Sequence, residues 1–221
     1  MSFSGDIKEE LSELTSGGRH CRLAETAAIL SLCGKIVITE NNHYCVKIQT
    51  ENFPVARKYF TLLKKAFNIK SEVSVRKSRE LRFYSVVVKK DREAKRLLRD
   101  TCLLDSDGNI SECMSLIHNQ LLKQNCCRRA FIRGAFLATG SVSDPEKSYH
   151  FEIVCASEAK AAQLRELLVQ HAIDAKMVIR KKHYVVYVKE GSQIVELLGI
   201  MGAHVVGKCS DCERNAEFGE P

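Results

Sequence analysis

The sequence lacks any apolar run of the ~20 residues that a membrane-spanning helix requires. It also lacks the pattern of an export signal, because acidic residues appear within the first ten positions and no apolar segment follows them. These absences argue against a membrane-spanning or secreted protein and predict a cytoplasmic one without a membrane partner. A disulfide framework is therefore not expected, and five of the ten cysteines occupy apolar sequence surroundings as small hydrophobic side chains: Cys33, Cys45, Cys102, Cys113 and Cys155.

Acidic residues are fewer than basic ones. The chain has 34 Lys and Arg against 27 Asp and Glu, a formal net charge of +7. The excess is concentrated between Lys70 and Arg99, where eleven basic residues accompany four acidic ones. Solvated surface charge explains part of this excess, and a nucleic-acid partner is the alternative that it favours.

Two segments carry closely spaced small residues and end in a glycine. The first runs from Cys21 to Gly34 and the second from Phe131 to Gly140, and the two glycines are 106 positions apart. Small residues on one helix face let a second backbone approach closely, so we expect the two segments to be helices that pack together. The residues expected at their contact are Ala27, Ala28, Ser31, Gly134, Ala135 and Ala138.

The segments that follow these helices also repeat. Apolar spacing predicts helix, two strands, helix, two strands and helix in each half, and five matches recur in the same order at offsets that shrink from 106 to 100. The predicted fold class is α+β, with two pseudo-symmetric αββαββα repeats. The expected divisions are an N-terminal helix (1–18), a first repeat (19–100), a linker (101–125), a second repeat (126–206) and a polar, disordered tail (207–221).

This repeat resembles the LAGLIDADG homing-endonuclease fold, in which two such helices lie side by side and two four-stranded sheets form a saddle over DNA. The stretch from Cys127 to His150 is similar to the signature of the WhiA family of sporulation and cell-division regulators. The first eleven residues and the stretch from Arg180 to Gly191 are similar to that family as well, so the resemblance covers roughly residues 1–206.

The resemblance allows a test of nuclease chemistry. Homing endonucleases place an acid immediately before the last glycine of each signature helix, and the two carboxylates hold divalent metal ions. Cys33 and Thr139 occupy these positions here, and neither is a good ligand for Mg²⁺. Asp144 is the nearest acid in the second half, but Ile38 stands at the same offset in the first. The resemblance therefore implies a non-enzymatic, nucleoid-associated DNA-binding regulator of transcription, sporulation, cell division and chromosome segregation.

The resemblance to the WhiA family also indicates which element would recognise a DNA sequence. The family continues into a linker and a C-terminal helix-turn-helix, and residues 207–221 do not resemble that linker. Weak or non-specific DNA binding is therefore expected of this chain. Two alternatives stay open: an interaction module for another transcription or cell-division protein, and a nuclease with displaced acids. Target sequence, regulated genes and oligomeric state are not predicted.

Basic residues on matching strands of the two halves are the candidate DNA-binding residues. They are Arg76, Lys77, Arg82, Lys89, Arg180, Lys181, Lys182 and Lys189. Because strand residues alternate between faces, about half of them are expected on the concave surface of the saddle. The competing interpretation is that all eight are solvated charges.

No cofactor and no metal ion are expected. The turn that starts at Asp105 resembles the start of a calcium loop, but Leu116 stands where that loop needs a glutamate.

Cys209 and Cys212 have the spacing of half a zinc site, and no second pair follows them. His204, Cys126 and Cys127 would complete such a site only if the fold happened to bring them there.

Overall fold

The computed structural model describes residues 2–14, 17–78, 81–105, 108–110, 120–144 and 148–203. The helices are α1 (Phe3–Glu13), α2 (Arg19–Cys33), α3 (Phe53–Phe67), α4 (Asp91–Asp100), α5 (Asn125–Thr139), α6 (Glu158–Val169) and α7 (Gly191–Met201). The strands are β1 (Gly34–Ile38), β2 (Tyr44–Thr50), β3 (Glu72–Ser78), β4 (Leu81–Val88), β5 (Gly140–Val142), β6 (Phe151–Cys155), β7 (Lys176–Arg180) and β8 (His183–Val188). Within these residues, no helix is both long and apolar enough to cross a bilayer.

The strands form two antiparallel four-stranded sheets with the same topology. Their orders are β1-β2-β4-β3 and β5-β6-β8-β7. The registers also correspond, because Arg76 pairs with Phe83 in the first sheet as Arg180 pairs with His183 in the second. The predicted α+β fold with tandem αββαββα repeats is confirmed.

Helices α2 and α5 lie side by side at the centre of the molecule, as their small residues predict. A Cβ on Gly134 would lie only 2.5 Å from the carbonyl oxygen of Glu25 and 2.9 Å from the Cβ of Ala28. Ala27, Ala28 and Ala135 are fully buried. The close approach of the two backbones therefore depends on the missing side chain of Gly134.

A buried group of three charged side chains crosses this helix pair. Arg133 of α5 donates from Nε and Nη2 to the two carboxylate oxygens of Glu25 in α2, at 3.0 and 3.1 Å. Lys58 of α3 lies 3.2 Å from the same carboxylate. Burial lowers the pKa of Lys58, and the charge of Glu25 opposes that shift. Lys58 and Arg133 also donate to the backbone carbonyls of Leu14 and Met201, so the group joins five helices.

The N-terminal helix differs from the prediction at its first turn. The sequence predicts a helix over residues 4–14 with Ser4 or Asp6 near its cap. Instead, Ser2 is the N-cap residue, and its hydroxyl accepts a hydrogen bond from the amide of Gly5 at 3.2 Å. Ile7 is fully buried, as the apolar spacing of this helix predicts.

The linker prediction is tested only in part. The sequence predicts a helix over residues 111–123 within this linker. Residues 111–119 lie outside the described residues, and Gln120–Leu122 form a single 3-10 turn. The predicted tail, residues 207–221, and the last three residues of the predicted second repeat also lie outside them.

Candidate nucleic-acid interface

Each sheet packs one face against helices and turns the other away from them. Alternate residues of the central strands are buried, at Val46 and Ile48 in β2 and at Phe151 and Ile153 in β6. The residues between these positions point the opposite way. We call this helix-free side of each sheet its outer face, defined by Lys47 in the first sheet and by Glu152 in the second.

The candidate residues of the first half divide between the two faces. The register places Arg76 on the outer face, and Lys89 continues the outer series of β4. Lys77 pairs with Arg82 at the next register position, so both side chains belong to the helix-side face. Alternation thus divides the four candidates equally, as expected.

The second half places its candidates differently. Arg180 and Lys189 correspond to Arg76 and Lys89 and belong to the outer face. Lys181 and Lys182 form the two-residue turn between β7 and β8, with φ angles of +47° and +68°. Two successive positive φ angles are typical of a type I′ turn, which normally contains Asn and Gly. This hairpin turn therefore exposes two lysines in a backbone conformation that is unfavourable for lysine.

Sequence reasoning missed two residues of the outer face. Lys35 and Lys47 face each other directly across β1 and β2. Like charges opposite one another are destabilising, and an anion between them would relieve that repulsion. Their strands were predicted, but the register that pairs them was not. The signal that could have identified them is the short β1-β2 hairpin that follows Gly34.

The second sheet has different residues at the corresponding positions. Ser141 pairs with Glu152 where Lys35 pairs with Lys47 in the first sheet. The Glu152 carboxylate lies 3.0 Å from Nη1 of Arg180 and 3.0 Å from Nε2 of His150. Burial alone would raise the pKa of Glu152, but the hydrogen bond from His150 and the charge of Arg180 outweigh it and lower that pKa.

The positions before the two helix-ending glycines carry no carboxylate. Cys33 is half-buried, its Sγ donates to the carbonyl of Ile29 at 3.2 Å, and burial raises its pKa to about 12. Burial lowers the pKa of the neighbouring Lys8 to about 8, opposed by the charge of Cys33. The hydroxyl of Thr139 finds no hydrogen-bond partner among the described residues. Asp144 lies beyond the end of β5.

The cysteines are only partly placed as predicted. All seven that the structure describes are free, but Cys102 is exposed where apolar surroundings were expected. Cys126 and Cys127 meet His20 and Cys21 at the starts of the two central helices. Sequence reasoning did not bring these four together, although the offset of 106 aligns them in pairs. His204, Cys209, Cys212 and Cys113 lie outside the described residues.

Comparison with known proteins agrees with this architecture. The WhiA N-terminal LAGLIDADG-like domain matches residues 19–104, and the WhiA LAGLIDADG-like domain matches residues 128–208. The chain belongs to the WhiA family. A relative in Lachnoclostridium phytofermentans, named as a probable cell division protein WhiA, is 48% identical over 207 residues, which cover 92% of this chain and 66% of that protein. This WhiA-family chain thus spans slightly less than two thirds of the length of that relative.

Solved structures show the same fold. Full-length WhiA from Thermatoga maritima matches with a TM-score of 0.74 at 21% identity, covering 100% of this chain and 69% of that one. The endonuclease I-DmoI in complex with DNA and Ca matches with a TM-score of 0.60 at 14% identity, covering 85% of this chain and 93% of that one. The WhiA-family chain therefore shares its architecture with a DNA-bound endonuclease.

Proposed function

We propose that this WhiA-family chain is a non-catalytic DNA-binding regulator that contacts the phosphate backbone mainly through the outer face of its first sheet. The observation that carries the proposal is the cross-strand pair of Lys35 and Lys47 on the same face as Arg76. Within the described part of the chain, none of these three cations forms an ion pair. A surface with this charge binds phosphates without reading base sequence.

The fold supports the same use of the sheets. I-DmoI, which shares the architecture, is bound to DNA in its solved complex. Lysines act on phosphate as point charges, and a few such contacts give dissociation constants of ~10⁻⁴–10⁻⁶ M at physiological salt. Weak, sequence-independent binding is therefore the activity expected of these sheets. Base-specific contacts would have to come from another element, such as a helix-turn-helix.

The chemistry of the two helix ends supports the absence of nuclease activity. Mg²⁺ prefers carboxylate oxygens, whereas Cys33 offers a neutral thiol and Thr139 a hydroxyl. The ammonium group of Lys8 near Cys33 would also repel a divalent cation. The protein is accordingly proposed to bind DNA and not to cut it in Mg²⁺ or Mn²⁺.

The cellular role follows from DNA binding together with the relatives. Relatives carry the name of a probable cell division protein. A chain with this surface would associate with the nucleoid and act in transcription control linked to sporulation, division and chromosome segregation.

Two matched double variants test the interface. Lys47→Ala with Arg76→Ala removes one lysine and one arginine from the outer face, and Lys77→Ala with Arg82→Ala removes the same charges from the opposite face of the same sheet. Affinity for a duplex is measured by fluorescence anisotropy over a range of salt concentrations. The outer-face variant is expected to bind more weakly and to lose about two units of salt slope, about one for each phosphate contact. Equal losses in both variants would contradict the assignment.

A second candidate function rests on the outermost strands. β3 is exposed along its whole length, Val75 is 59% exposed, and Ile179 of β7 is 66% exposed. An exposed apolar edge strand can accept a strand from a partner protein. If the parent chain shows no DNA binding even at low salt, this interaction module becomes the better explanation.

A further inference from the structure

Four potential metal ligands meet where the two central helices begin. His20 and Cys21 lie in the first turn of α2, and Cys126 and Cys127 lie in the first turn of α5. Nδ1 of His20 is 3.1 Å from Sγ of Cys127, 3.3 Å from Sγ of Cys21 and 3.9 Å from Sγ of Cys126. The four atoms all lie within 4.8 Å of one another.

These separations suit a tetrahedral ion. Zinc binds imidazole nitrogen and thiolate sulfur at ~2.0–2.3 Å, which places neighbouring ligand atoms about 3.3–3.8 Å apart. The observed distances scatter around that value, so small side-chain adjustments would bring all four atoms to one centre. Three sulfurs and one imidazole form the Cys₃His set of structural zinc sites. Such a soft, nitrogen-containing set favours zinc over magnesium or calcium.

The local backbone orients the imidazole toward the sulfurs. A Cβ on Gly18 would lie 2.5 Å from Nε2 of His20, so the ring lies against the bare backbone of Gly18. Nε2 therefore faces the chain and Nδ1 faces the three thiols. A side chain at position 18 would displace the ring, which explains a glycine there without invoking a positive φ angle.

The surroundings allow both entry and charge balance. Cys21 and Cys127 are buried, whereas His20 and Cys126 are exposed, so an ion reaches the centre from solvent through an open pocket. Three thiolates and one Zn²⁺ carry a net charge of −1. Arg129 borders the same pocket and supplies a compensating positive charge.

We propose that His20, Cys21, Cys126 and Cys127 form a structural zinc site that fastens the first turns of α2 and α5 together. Each repeat contributes two ligands from equivalent positions, since 20 and 126, like 21 and 127, are 106 apart. The site closes the end of the helix pair opposite to Gly34 and Gly140. Because the unfolded chain does not hold the four ligands together, zinc binding adds to the stability of the fold.

The metal content of the reduced, full chain tests the site. About one equivalent of tightly bound zinc per chain is expected by elemental analysis, as a four-ligand site requires. Cobalt added to the zinc-free chain should give thiolate charge-transfer absorption and the visible bands of a tetrahedral centre. Chelation should lower the melting temperature, and zinc should restore it.

Variants at the two exposed ligands avoid disturbing the core. His20→Ala and Cys126→Ser should each reduce retained zinc and weaken the cobalt bands, and the band intensity should fall further in Cys126→Ser because it loses a thiolate. Two variants are the controls, and both should keep the metal. One is Cys102→Ser, at an exposed cysteine outside the cluster. The other is the tail variant Cys209→Ser with Cys212→Ser.

Three results would overturn the proposal. The first is a reduced parent chain that holds no tightly bound zinc and shows no cobalt bands. The second is a Cys21–Cys127 disulfide that forms in place of metal binding. The third is loss of zinc in the Cys209→Ser, Cys212→Ser variant together with full retention of zinc in His20→Ala and Cys126→Ser.

Discussion

The two sheets have one topology and one register but different outer faces. In the first sheet Lys35 and Lys47 face each other, and in the second Ser141 and Glu152 occupy the same pair of positions. Glu152 neutralises Arg180, whereas Arg76, the equivalent of Arg180, forms no ion pair among the described residues. Within the described part of the chain, the first sheet pairs Lys89 with Glu72 but leaves Lys35, Lys47 and Arg76 uncompensated. The second sheet instead neutralises Arg180 with Glu152.

This difference shows which residues the fold constrains. Helix-side positions of the central strands β2 and β6 are apolar and buried, as at Val46 and Phe151, because these strands must cover the helices. Outer-face positions carry no such requirement, so they can diverge without changing the fold. A pseudo-symmetric scaffold can thus bind an asymmetric partner, and DNA contact is proposed to be concentrated on one half.

The largest expected effect is on the stability that the buried group of Glu25, Lys58 and Arg133 provides. The charges of this group are not repeated at the equivalent positions of the two halves. Phe131 and Ala27 stand at the positions equivalent to Glu25 and Arg133. Glu25→Ala leaves two buried cations without their shared anion and should lower the free energy of unfolding by about 3–5 kcal/mol. Denaturant unfolding measures the change.

The matched control for that variant is Glu13→Ala. It breaks only the exposed ion pair with Arg57 and should cost no more than about 1 kcal/mol. Similar losses in the two variants would show that Glu25 does not neutralise Lys58 and Arg133.

The next effect concerns the closest approach of the two halves. Gly134 of α5 corresponds to Ala28 of α2, and only one of the two positions can carry a side chain in this packing. Gly134→Ala places a Cβ against a backbone carbonyl that cannot move aside, and should destabilise the protein by about 1–3 kcal/mol.

Gly199→Ala is the control, because a Cβ at this helical glycine meets nothing within 4 Å. It should be neutral or stabilising by up to about 1 kcal/mol, since alanine favours helix more than glycine does. Thermal melts compare the two. Equal melting temperatures would mean that the helices are further apart than described.

The smallest expected effect is on DNA affinity, and it comes from a substitution that makes the outer face of the second sheet resemble that of the first. Glu152→Lys gives the second sheet the residue found at Lys47 and releases Arg180 from its ion pair. DNA affinity should rise by roughly 1 kcal/mol, with a steeper salt slope. Glu166→Lys changes the net charge equally on an exposed position of α6, which lies on the helix side of the sheet, and should change affinity less. Equal gains would indicate that net charge alone governs binding.

The bounds of helices and strands were predicted well where the sequence carries a clear signal at both ends of the element. The sequence predicts a strand over residues 44–50 and a helix over residues 53–67, and β2 and α3 have these bounds. Pro54 suits the first turn of α3, and Asn68 ends it in the left-handed conformation. α5 begins six residues before Phe131, where the prediction started it, because the polar first turns lack an apolar stripe.

The candidate interface was harder to predict because it depends on pairing between strands. Alternation showed that half of the basic residues share a face, but which half depends on the hairpin register that places Arg76 opposite Phe83. Lys47 was missed for the same reason. The cluster around His20 depends on how two helices 106 residues apart meet, which a spacing within one helix cannot reveal.

The hairpin turn at Lys181 and Lys182 has an evolutionary consequence. Replacing this pair with Asn-Gly would relieve its positive φ angles and favour the hairpin, yet it would also remove two cations from the tip of the second sheet. Selection for heat resistance alone would therefore drive these positions toward Asn and Gly. Two lysines at this turn are the result expected if selection favours positive surface charge even at some cost in stability.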